Sequence, residues 1–325
     1  MNIIDLYTLK LIPGIGDTTL RKIIDSRKSI RELVDADEEE LKTLIARNRA
    51  SVAIHALKEE LDHFQEKAVS DIDAMHECGI EMLTSESEQY PQYFHLIKDK
   101  PLFLYCRGNL DLLNNTPSVA IIGTRECTQS GFLTAQQMAR AFVKKGYCIV
   151  SGLAEGIDTA AHKGALMESG NTISVLVDVK NIYPKANSQL SEDIINNGGL
   201  LIAENPPGCK AVGGLFVKRD RLQSALSLAV VPIETAVKGG TMHTVRYAGE
   251  QKRLLLGPDF STSPSYNYNT KQFSGISKLM SEDKLIQMDK DNISLILSKL
   301  LPKKELELQH LLEDRKIQSD LFGSS

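Results

Sequence analysis

Three short glycine-containing turns could form a binding site for phosphate groups. They are Gly123-Thr124-Arg125, the segment that runs from Ser151-Gly152 to Gly156, and Lys238-Gly239-Gly240-Thr241. Glycine lets a backbone approach a ligand closely, and arginine presents a fork of N–H groups that fits phosphate oxygens. A helix that begins after such a turn adds free backbone N–H donors. Each turn alone is typical of an ordinary strand-to-helix connection, but the three together predict a phosphate-bearing ligand.

The charge distribution agrees with this expectation. The whole chain has a formal net charge of −4, but residues 210–253 contain eight Lys and Arg against three Asp and Glu, so this stretch carries +5 and the remainder −9. Arg219 and Arg221 lie between the second and third turns and are predicted to supply cations to the same site. Solvated charge without a ligand is the alternative that composition alone leaves open.

Sequence signatures of catalysis and of metal or cofactor binding are absent. There is no nucleophile elbow, Walker loop or G-x-G-x-x-G fingerprint, the seven His are dispersed, and the five Cys stand singly. We therefore expect no catalytic residue, no metal and no cofactor. Single cysteines and the lack of an apolar span of about 18 residues predict a cytoplasmic protein without membrane contact. Because aromatic residues are only 6% of the chain, backbone contacts rather than many stacked bases are expected to hold a nucleic acid.

The turns follow apolar runs that alternate with helical segments. The runs are short, rich in Leu or β-branched residues, and begin at Val119, Cys148, Ile173, Leu200 and Leu226. This alternation predicts an α/β fold with a Rossmann-like, doubly wound, mostly parallel sheet in residues 118–300. Ligands of such sheets lie outside the carboxyl ends of the strands, where the three turns are found.

The remaining segments differ in character. Residues 1–80 are predicted to form a small helical domain similar to SAM or helix-hairpin-helix modules, residues 81–117 an extension or linker, and residues 301–325 a charged helix and tail. The turn Pro13-Gly14-Ile15-Gly16 has two interpretations of equal weight. It presents backbone N–H groups to a DNA phosphate, or it is a tight interhelical turn without a ligand.

Several segments in the observed order and spacing resemble the DprA/Smf family of bacterial DNA-processing proteins. The central segments are GTRECTQSG, SGLAEGIDTAAHKGAL, IYPKANSQL, KRDRLQSALS and ETAVKGGT. The flanking ones are LIPGIGDTTLRKII, CGIEMLTSESEQYPQYF, PLFLYCRGNLDLL and SGISKLMSEDKLIQM. The resemblance covers about residues 5 to 297, and its most specific string is SGLA-x-GID-x-AAH.

The resemblance implies a single-stranded DNA-binding protein of recombination, repair or DNA uptake that is not an enzyme. It further implies a homodimer formed through the Rossmann-like domain and assistance in loading the RecA recombinase. Carried over to this sequence, the DNA contacts fall on Arg125, Arg219, Arg221 and Lys238. The anion seats fall on Gly123, Thr124, Ser151 and Gly152.

This sequence departs from the family pattern at several positions. Thr124 stands where the family usually has Ser, which keeps the hydroxyl group. Lys218 and Asp220 stand where the family has an Arg and an Asn, and the Asp220 carboxylate is expected to weaken the local positive field. Asp158, in the second turn, is expected to cap or orient that turn. Since about 25 residues follow Leu300, the C-terminal winged-helix domain common in the family is expected to be missing.

Two other functions are alternatives to DNA binding. The first is a nucleotide-ligand sensor or a phosphoribohydrolase of the lysine-decarboxylase-like type, whose P-G-G-x-G-T-x-x-E motif ends in a catalytic acid. Here Gly239-Gly240-Thr241 is followed by Thr244, which is no acid, so this enzyme lacks its carboxylate. The second is a purely structural interaction protein, and three glycine turns at one sheet edge argue against it.

The C-terminal residues suggest a second partner. Gln318, Asp320, Leu321 and Phe322 match the Q-x-[DS]-L-F pentapeptide by which bacterial replication and repair proteins bind the sliding clamp. Such a motif needs an accessible, disordered segment that places two apolar side chains in a preformed pocket. A frayed end with two stray apolar residues is the alternative.

Overall fold

The structure, a computed structural model, describes residues 1–46, 48–259, 270–289 and 291–322, with the backbone alone described for residues 318–322. The chain divides into two compact units. Residues 1–84 build the first unit, and residues 85–321 build the second.

Helices make up most of the first unit. In chain order its elements are α1 (Ile3–Leu11), α2 (Asp17–Asp25), α3 (Ile30–Asp35), α4 (Glu38–Leu44), α5 (Ala50–Glu59), α6 (Leu61–Glu77) and the strand β1 (Glu81–Thr84). Leu6, Leu9, Leu20, Leu33 and Leu57 are at most 1% exposed and form part of its core. Because these leucines recur at helical spacing, burying them on one face of each helix stabilises the unit.

The turn between α1 and α2 favours the interpretation without DNA. Asp17 is the first residue of α2, and its carboxylate lies 3.8 Å from the ammonium group of Lys10. A DNA phosphate at this helix N-terminus would therefore meet a negative charge that already interacts with the helix dipole.

A mostly parallel sheet organises the second unit. Its strands are β2 (Phe103–Gly108), β3 (Ser118–Ile122), β4 (Cys148–Ser151), β5 (Thr172–Leu176), β6 (Leu200–Ala203), β7 (Ala229–Pro232), β8 (Leu254–Pro258) and β9 (Ile286–Met288). They lie in the order β2-β6-β5-β4-β3-β7-β8-β9. All neighbours run parallel except β2, which pairs antiparallel with β6. The predicted Rossmann-like, doubly wound fold is confirmed.

Helices cover this sheet. They are α7 (Gln129–Val143), α8 (Ile157–Met167), α9 (Ser188–Asn196), α10 (Gly213–Leu226), α11 (Thr241–Glu250), α12 (Ser274–Ser281), α13 (Ile293–Leu295) and α14 (Leu301–Phe322). Every residue of β3 to β7 is buried, which explains why their sequences are continuous apolar runs rather than alternating ones.

The strand order reverses at β3. From β3 the chain adds β4, β5 and β6 on one side, then returns to place β7 on the other side. The loops that leave the carboxyl ends of β3 and β7 diverge at this switch point and leave a crevice between them, which is where doubly wound proteins bind ligands.

Two segments differ from the sequence-based expectation. Part of the predicted linker 81–117 is β2, whose residues Tyr105 and Cys106 pair with Ala203 and Ile202 of the sheet. The apolar run Leu102-Phe103-Leu104-Tyr105 is itself typical of a short strand, so the difference lies in its pairing with the sheet rather than in its local structure. The predicted tail is also shorter than expected, since α14 continues through Phe322.

Within the described ranges, no helix combines the length and apolar character needed to cross a membrane.

Candidate nucleic-acid interface

A cavity of about 910 Å³ occupies the crevice at the switch point. The loop after β3 contributes Gly123, Thr124 and Arg125, and the loop after β7 contributes the segment from Lys238 to Thr241. The N-terminal half of α10 forms a third wall. The structure thus brings together the first and third glycine turns, which are more than 100 residues apart in the chain.

Cationic side chains surround the opening of the cavity. Arg125, Lys238 and Lys271 line it and are exposed to solvent. Lys271 was not predicted, because it lies 30 residues beyond the third turn and in no recognisable motif. Three cations at one rim attract phosphate by charge, and Arg125 adds planar hydrogen-bond geometry.

Two helix N-termini point into the same cavity. Helix α10 begins at Gly213 and α11 begins at Thr241, and both Gly213 and Thr241 line the cavity. In the described part of the chain, no side chain caps either helix through its N-cap residue, Val212 or Gly240. Leu215 in α10, and Met242 and His243 in α11, donate their N–H groups to backbone carbonyls. The N–H group of the first residue of each helix, together with the positive end of the helix dipole, favours a bound anion at both places.

Carboxylates of the protein itself occupy the N–H groups of the N-cap residue of α7 and of the loop before α8. Glu234 is fully buried and accepts hydrogen bonds from the backbone N–H and the hydroxyl of Thr128, at 2.9 and 2.5 Å. Asp158 accepts the N–H groups of Gly152 and Ala154, at 3.2 and 3.3 Å. Asp158 therefore orients the second turn, as its position in the sequence suggested, and among the described helices that border the cavity α10 and α11 keep N-termini without a side-chain cap.

This arrangement corrects the assignment of the second turn as an anion seat. Ser151 is buried and its hydroxyl donates to the carbonyl of Ile121 at 2.7 Å. The Gly152 N–H is held by Asp158, and Gly156 lies behind the carbonyl groups of Thr124 and Arg125, outside the cavity. Sequence reasoning expected Asp158 to cap or orient this turn, but did not conclude that its carboxylate would occupy the Gly152 N–H group that an external anion needs.

Arg219 lies at the floor of the cavity rather than at its rim. Its side chain is 8% exposed, and Nη2 donates to the carbonyl of Gly152 at 3.0 Å. A Cβ at position 152 would overlap this guanidinium group, so glycine is needed there for close packing. Burial of Arg219 is thus compatible with a ligand that enters the cavity, and incompatible with one that stays on the surface.

Arg221 faces away from the cavity, which corrects its predicted DNA contact. Its side chain is 1% exposed and forms two hydrogen bonds to the Glu204 carboxylate, at 3.0 and 2.8 Å. It also donates to the carbonyl of Lys218 and pairs with Asp99 at 2.6 Å. Side chains two positions apart on a helix point about 200° apart, so Arg219 and Arg221 cannot both line one groove.

An aromatic pair at the cavity wall was not foreseen. The rings of Tyr183 and Phe216 have centroids 5.3 Å apart, and the Arg125 guanidinium carbon lies 6.0 Å from the centre of the Phe216 ring. All three side chains line the cavity. Phe216 precedes Arg219 by three residues on α10, so helical spacing offered a signal for it once Arg219 was placed.

The proposed clamp motif lies outside the side chains that the structure describes. Gln318, Asp320, Leu321 and Phe322 fall in the last two turns of α14, for which the backbone alone is described. That backbone is helical, so the expected disordered tail is not what the structure has in this segment.

Comparisons with known proteins agree with this architecture. A family model described as DNA recombination-mediator protein A matches residues 81–313. The DNA processing protein DprA of Bacillus subtilis is 34% identical over 64% of this chain and 70% of its own length. DprA of Streptococcus pneumoniae is 38% identical over 50% of this chain and 57% of its own length. The alignments thus leave about 30% of the Bacillus relative and about 43% of the pneumococcal relative unmatched.

Two solved structures are similar to the described fold. The crystal structure of DprA from Streptococcus pneumoniae has a TM-score of 0.69 and 27% identity, and the match covers 90% of this chain and 98% of that one. A DNA processing protein A from Helicobacter pylori, studied for its single-stranded DNA binding mode, has a TM-score of 0.59 and 30% identity, over 69% and 96% of the two chains. Because the family model spans well over half of the sequence, this chain belongs to the DprA/Smf family.

Proposed function

We propose that this protein binds single-stranded DNA in the switch-point cavity and acts as an accessory factor in DNA processing or recombination. The observation that carries the proposal is the convergence of two uncapped helix N-termini with Arg125, Lys238 and Lys271 at one opening. Phosphates have donors and cations there, and the family relation supports nucleic acid as their source. The experiment that tests it is equilibrium titration of the protein with labelled single-stranded DNA.

The aromatic pair supports a single strand rather than a duplex. A base can stack on an aromatic ring when it has left the base-paired stack, and Phe216 and Tyr183 offer such rings beside the phosphate donors. Sequence composition argued against many stacked bases, and one aromatic pair agrees with that limit. The expected ligand is a strand held mainly by its backbone, with one or two bases against the rings.

Replacing Phe216 with Ala is expected to weaken binding of a dT15 oligonucleotide roughly 5- to 100-fold. The physical reason is loss of base stacking, which contributes on the order of 1–3 kcal/mol per base. Fluorescence anisotropy with labelled dT15 measures the change. Phe132→Ala, a partly buried phenylalanine of α7 outside the cavity, is the matched control and should leave the affinity of the folded protein unchanged. Equal affinities for wild type and Phe216→Ala would remove the stacking role.

Binding of dT15 is expected to strengthen as the pH falls from about 8 to 6. Burial raises the pKa of Asp220 to about 6; Arg219 lowers it, Asp158 raises it, and His243 and Arg125 lower it further. These four groups face Asp220 from α10, the start of α8, α11 and the loop after β3. A nearby phosphate disfavours the charged carboxylate, so DNA binding raises this pKa further and takes up a proton.

The direction of the pH dependence follows from this coupling between DNA binding and proton uptake. Above the pKa of the complex Asp220 is ionised in both states and opposes the phosphate, whereas well below pH 6 it is neutral in both states and the affinity levels off. We expect a roughly three- to tenfold gain between pH 8 and 6. Asp220→Asn should bind dT15 more tightly at pH 8 and show a flatter profile. A profile that is unchanged in Asp220→Asn would show that Asp220 is not the group responsible for the pH dependence.

Partners beyond DNA are part of the proposal through the family relation. We infer that the protein forms a homodimer through its Rossmann-like unit, assists RecA loading, and serves recombination, repair or DNA uptake in the cytoplasm. What supports these points is membership in the family together with the proposed DNA site. The proposal includes no chemical turnover, because Glu234 is engaged with Thr128 and Thr244 stands where the related hydrolases carry an acid.

We also infer that the C-terminal residues bind the DNA sliding clamp. The support is the match of Gln318, Asp320, Leu321 and Phe322 to the clamp-binding pentapeptide. Since the backbone of this segment is helical, binding in an extended form would require the last turns of α14 to unwind. Calorimetry between the full chain and the purified clamp should show micromolar binding that disappears in Leu321→Ala/Phe322→Ala. Equal heats for both proteins would end this inference.

A further inference from the structure

The floor of the cavity contains polar groups that a phosphate cannot satisfy. Arg219, Asp220 and Gln223 all belong to α10, and all three line the cavity. Asp220 Oδ1 accepts a hydrogen bond from Gln223 Nε2 at 3.0 Å and lies 3.4 Å from Arg219 Nη1. Because the Asp220 side chain is 15% exposed, its carboxylate remains accessible from the cavity. A bound anion at this depth would meet that negative charge.

Several buried atoms at this floor have no hydrogen-bond partner within the described ranges. They are Nε and Nη1 of Arg219 and Oε1 of Gln223. Gln223 is 2% exposed and the Arg219 side chain is 8% exposed. Leaving buried polar atoms unsatisfied is costly, so a protein that retains them beside a cavity is built to pair them with water or a ligand. These atoms are closed to solvent in this structure, so the Arg219 side chain must turn toward the cavity for its N–H groups to reach a ligand beside the Asp220 carboxylate.

The pattern of donors and acceptors distinguishes among the four DNA bases. Along its Watson–Crick edge guanine presents one acceptor, O6, followed by two donors, N1–H and the 2-amino group. Thymine has an acceptor on each side of its single donor, cytosine has one donor beside two acceptors, and adenine has one donor beside one acceptor. A carboxylate next to a guanidinium group supplies the complement of guanine, since a carboxylate accepts two parallel N–H groups.

We propose that the floor of the cavity recognises an unstacked guanine, with Asp220 accepting N1–H and the 2-amino group and Arg219 donating to O6. The inference rests on the proposed single-stranded DNA function and adds base selectivity to it. Phosphates on either side of that guanine bind at the rim cations. Asp220 then has a role of its own: it weakens the general attraction for phosphate and provides selectivity for one base.

The test compares four oligonucleotides that differ at one position. Labelled dT15 is titrated at pH 7.5 against the same strand with a central dG, dA or deoxyinosine, and affinity is measured by fluorescence anisotropy. A single guanine avoids quadruplex formation. We expect the dG strand to bind roughly 5- to 150-fold more tightly than dT15, which is the discrimination of a good bidentate contact. Inosine lacks the 2-amino group and should lose most of this gain, and dA should show none.

Two variants of the same charge separate recognition from electrostatics. Asp220→Asn should bind dG and dT strands about equally while keeping or improving the affinity for dT15. Glu126→Gln removes one negative charge from the exposed rim of the same cavity and should keep the dG preference. The inosine comparison uses the unmodified protein, so it holds even if Asp220→Asn folds poorly.

Each outcome of this comparison supports or overturns a stated part of the proposal. Equal binding of dG, inosine and dT strands by the wild-type protein would overturn guanine recognition while leaving single-stranded DNA binding in place. A preference for dG that survives in Asp220→Asn would overturn the assigned role of Asp220. Failure of every strand to bind would overturn the proposed function itself, and the base selectivity with it.

Discussion

Replacing Arg125 and Lys238 together with glutamate is expected to lower the affinity for single-stranded DNA at least about 100-fold. Both side chains are exposed at the rim of the cavity, where charge reversal replaces two attractions with two repulsions. Because neither is part of the core, the thermal midpoint should change by no more than about 2 °C. Anisotropy with dT15 and differential scanning calorimetry measure the two quantities.

A charge-matched control makes this result specific. Lys145→Glu/Lys163→Glu reverses two exposed cations of the same unit that lie outside the cavity, and changes the net charge by the same amount. It should lower affinity by a small factor through the general field alone. If both double variants lost affinity equally, net charge rather than the cavity would govern binding. Arg219→Glu is unsuitable for this test, because it would place a third acid beside Asp158 and Asp220 inside the protein.

Replacing Arg221 with Ala is expected to destabilise the second unit by about 3–5 kcal/mol without changing the DNA affinity of the folded protein. Its guanidinium group is 1% exposed and bridges Glu204 and Asp99, so removing it leaves the 13%-exposed Glu204 side chain without this partner. Loss of one partner of a buried ion pair has a large cost. The thermal midpoint should fall by roughly 6–20 °C for a unit of this size.

Arg107→Ala is the control for this second prediction. Arg107 forms the same two-bond contact with Glu192, at 2.8 and 3.1 Å, but the two side chains are 29% and 43% exposed. Solvent screens such a pair, so its loss should cost at most about 1 kcal/mol. Equal losses of stability in the two variants would contradict the structural role of Arg221. A loss of DNA affinity confined to Arg221→Ala would restore its place in the binding site.

The comparison of these arginines shows what the sequence could and could not reveal. The alternation of apolar runs and helices predicted the sheet, because buried parallel strands leave a pattern within each short segment. Thr124, Arg125, Lys238 and Thr241 were expected at the carboxyl ends of the strands, because doubly wound sheets bind their ligands there. The position of each residue around the helix places Arg219 in the cavity and Arg221 outside it. A sequence motif alone does not show this difference.

Contacts between distant segments account for the other differences. Glu234 accepts hydrogen bonds from Thr128, the N-cap residue of α7, from more than 100 residues away, and this role is visible only when β7 lies beside β3. Tyr183 and Phe216 are separated by 33 positions and meet because α10 returns across the sheet. No local periodicity marks such pairs, so the aromatic wall and the filled anion seats required the fold.

The most direct measurement of the central claim is a salt series of binding isotherms, from 50 to 300 mM NaCl, with dT15, the corresponding duplex and free dTMP. If the three rim cations contact three phosphates, the logarithm of the association constant for dT15 should fall with the logarithm of salt with a slope of about −2. Lys238→Ala should reduce that slope by about 0.7. The duplex and dTMP should bind much more weakly. A slope that is the same in Lys238→Ala and wild type, or equal binding of duplex and single strand, would contradict a cavity that holds single-stranded DNA.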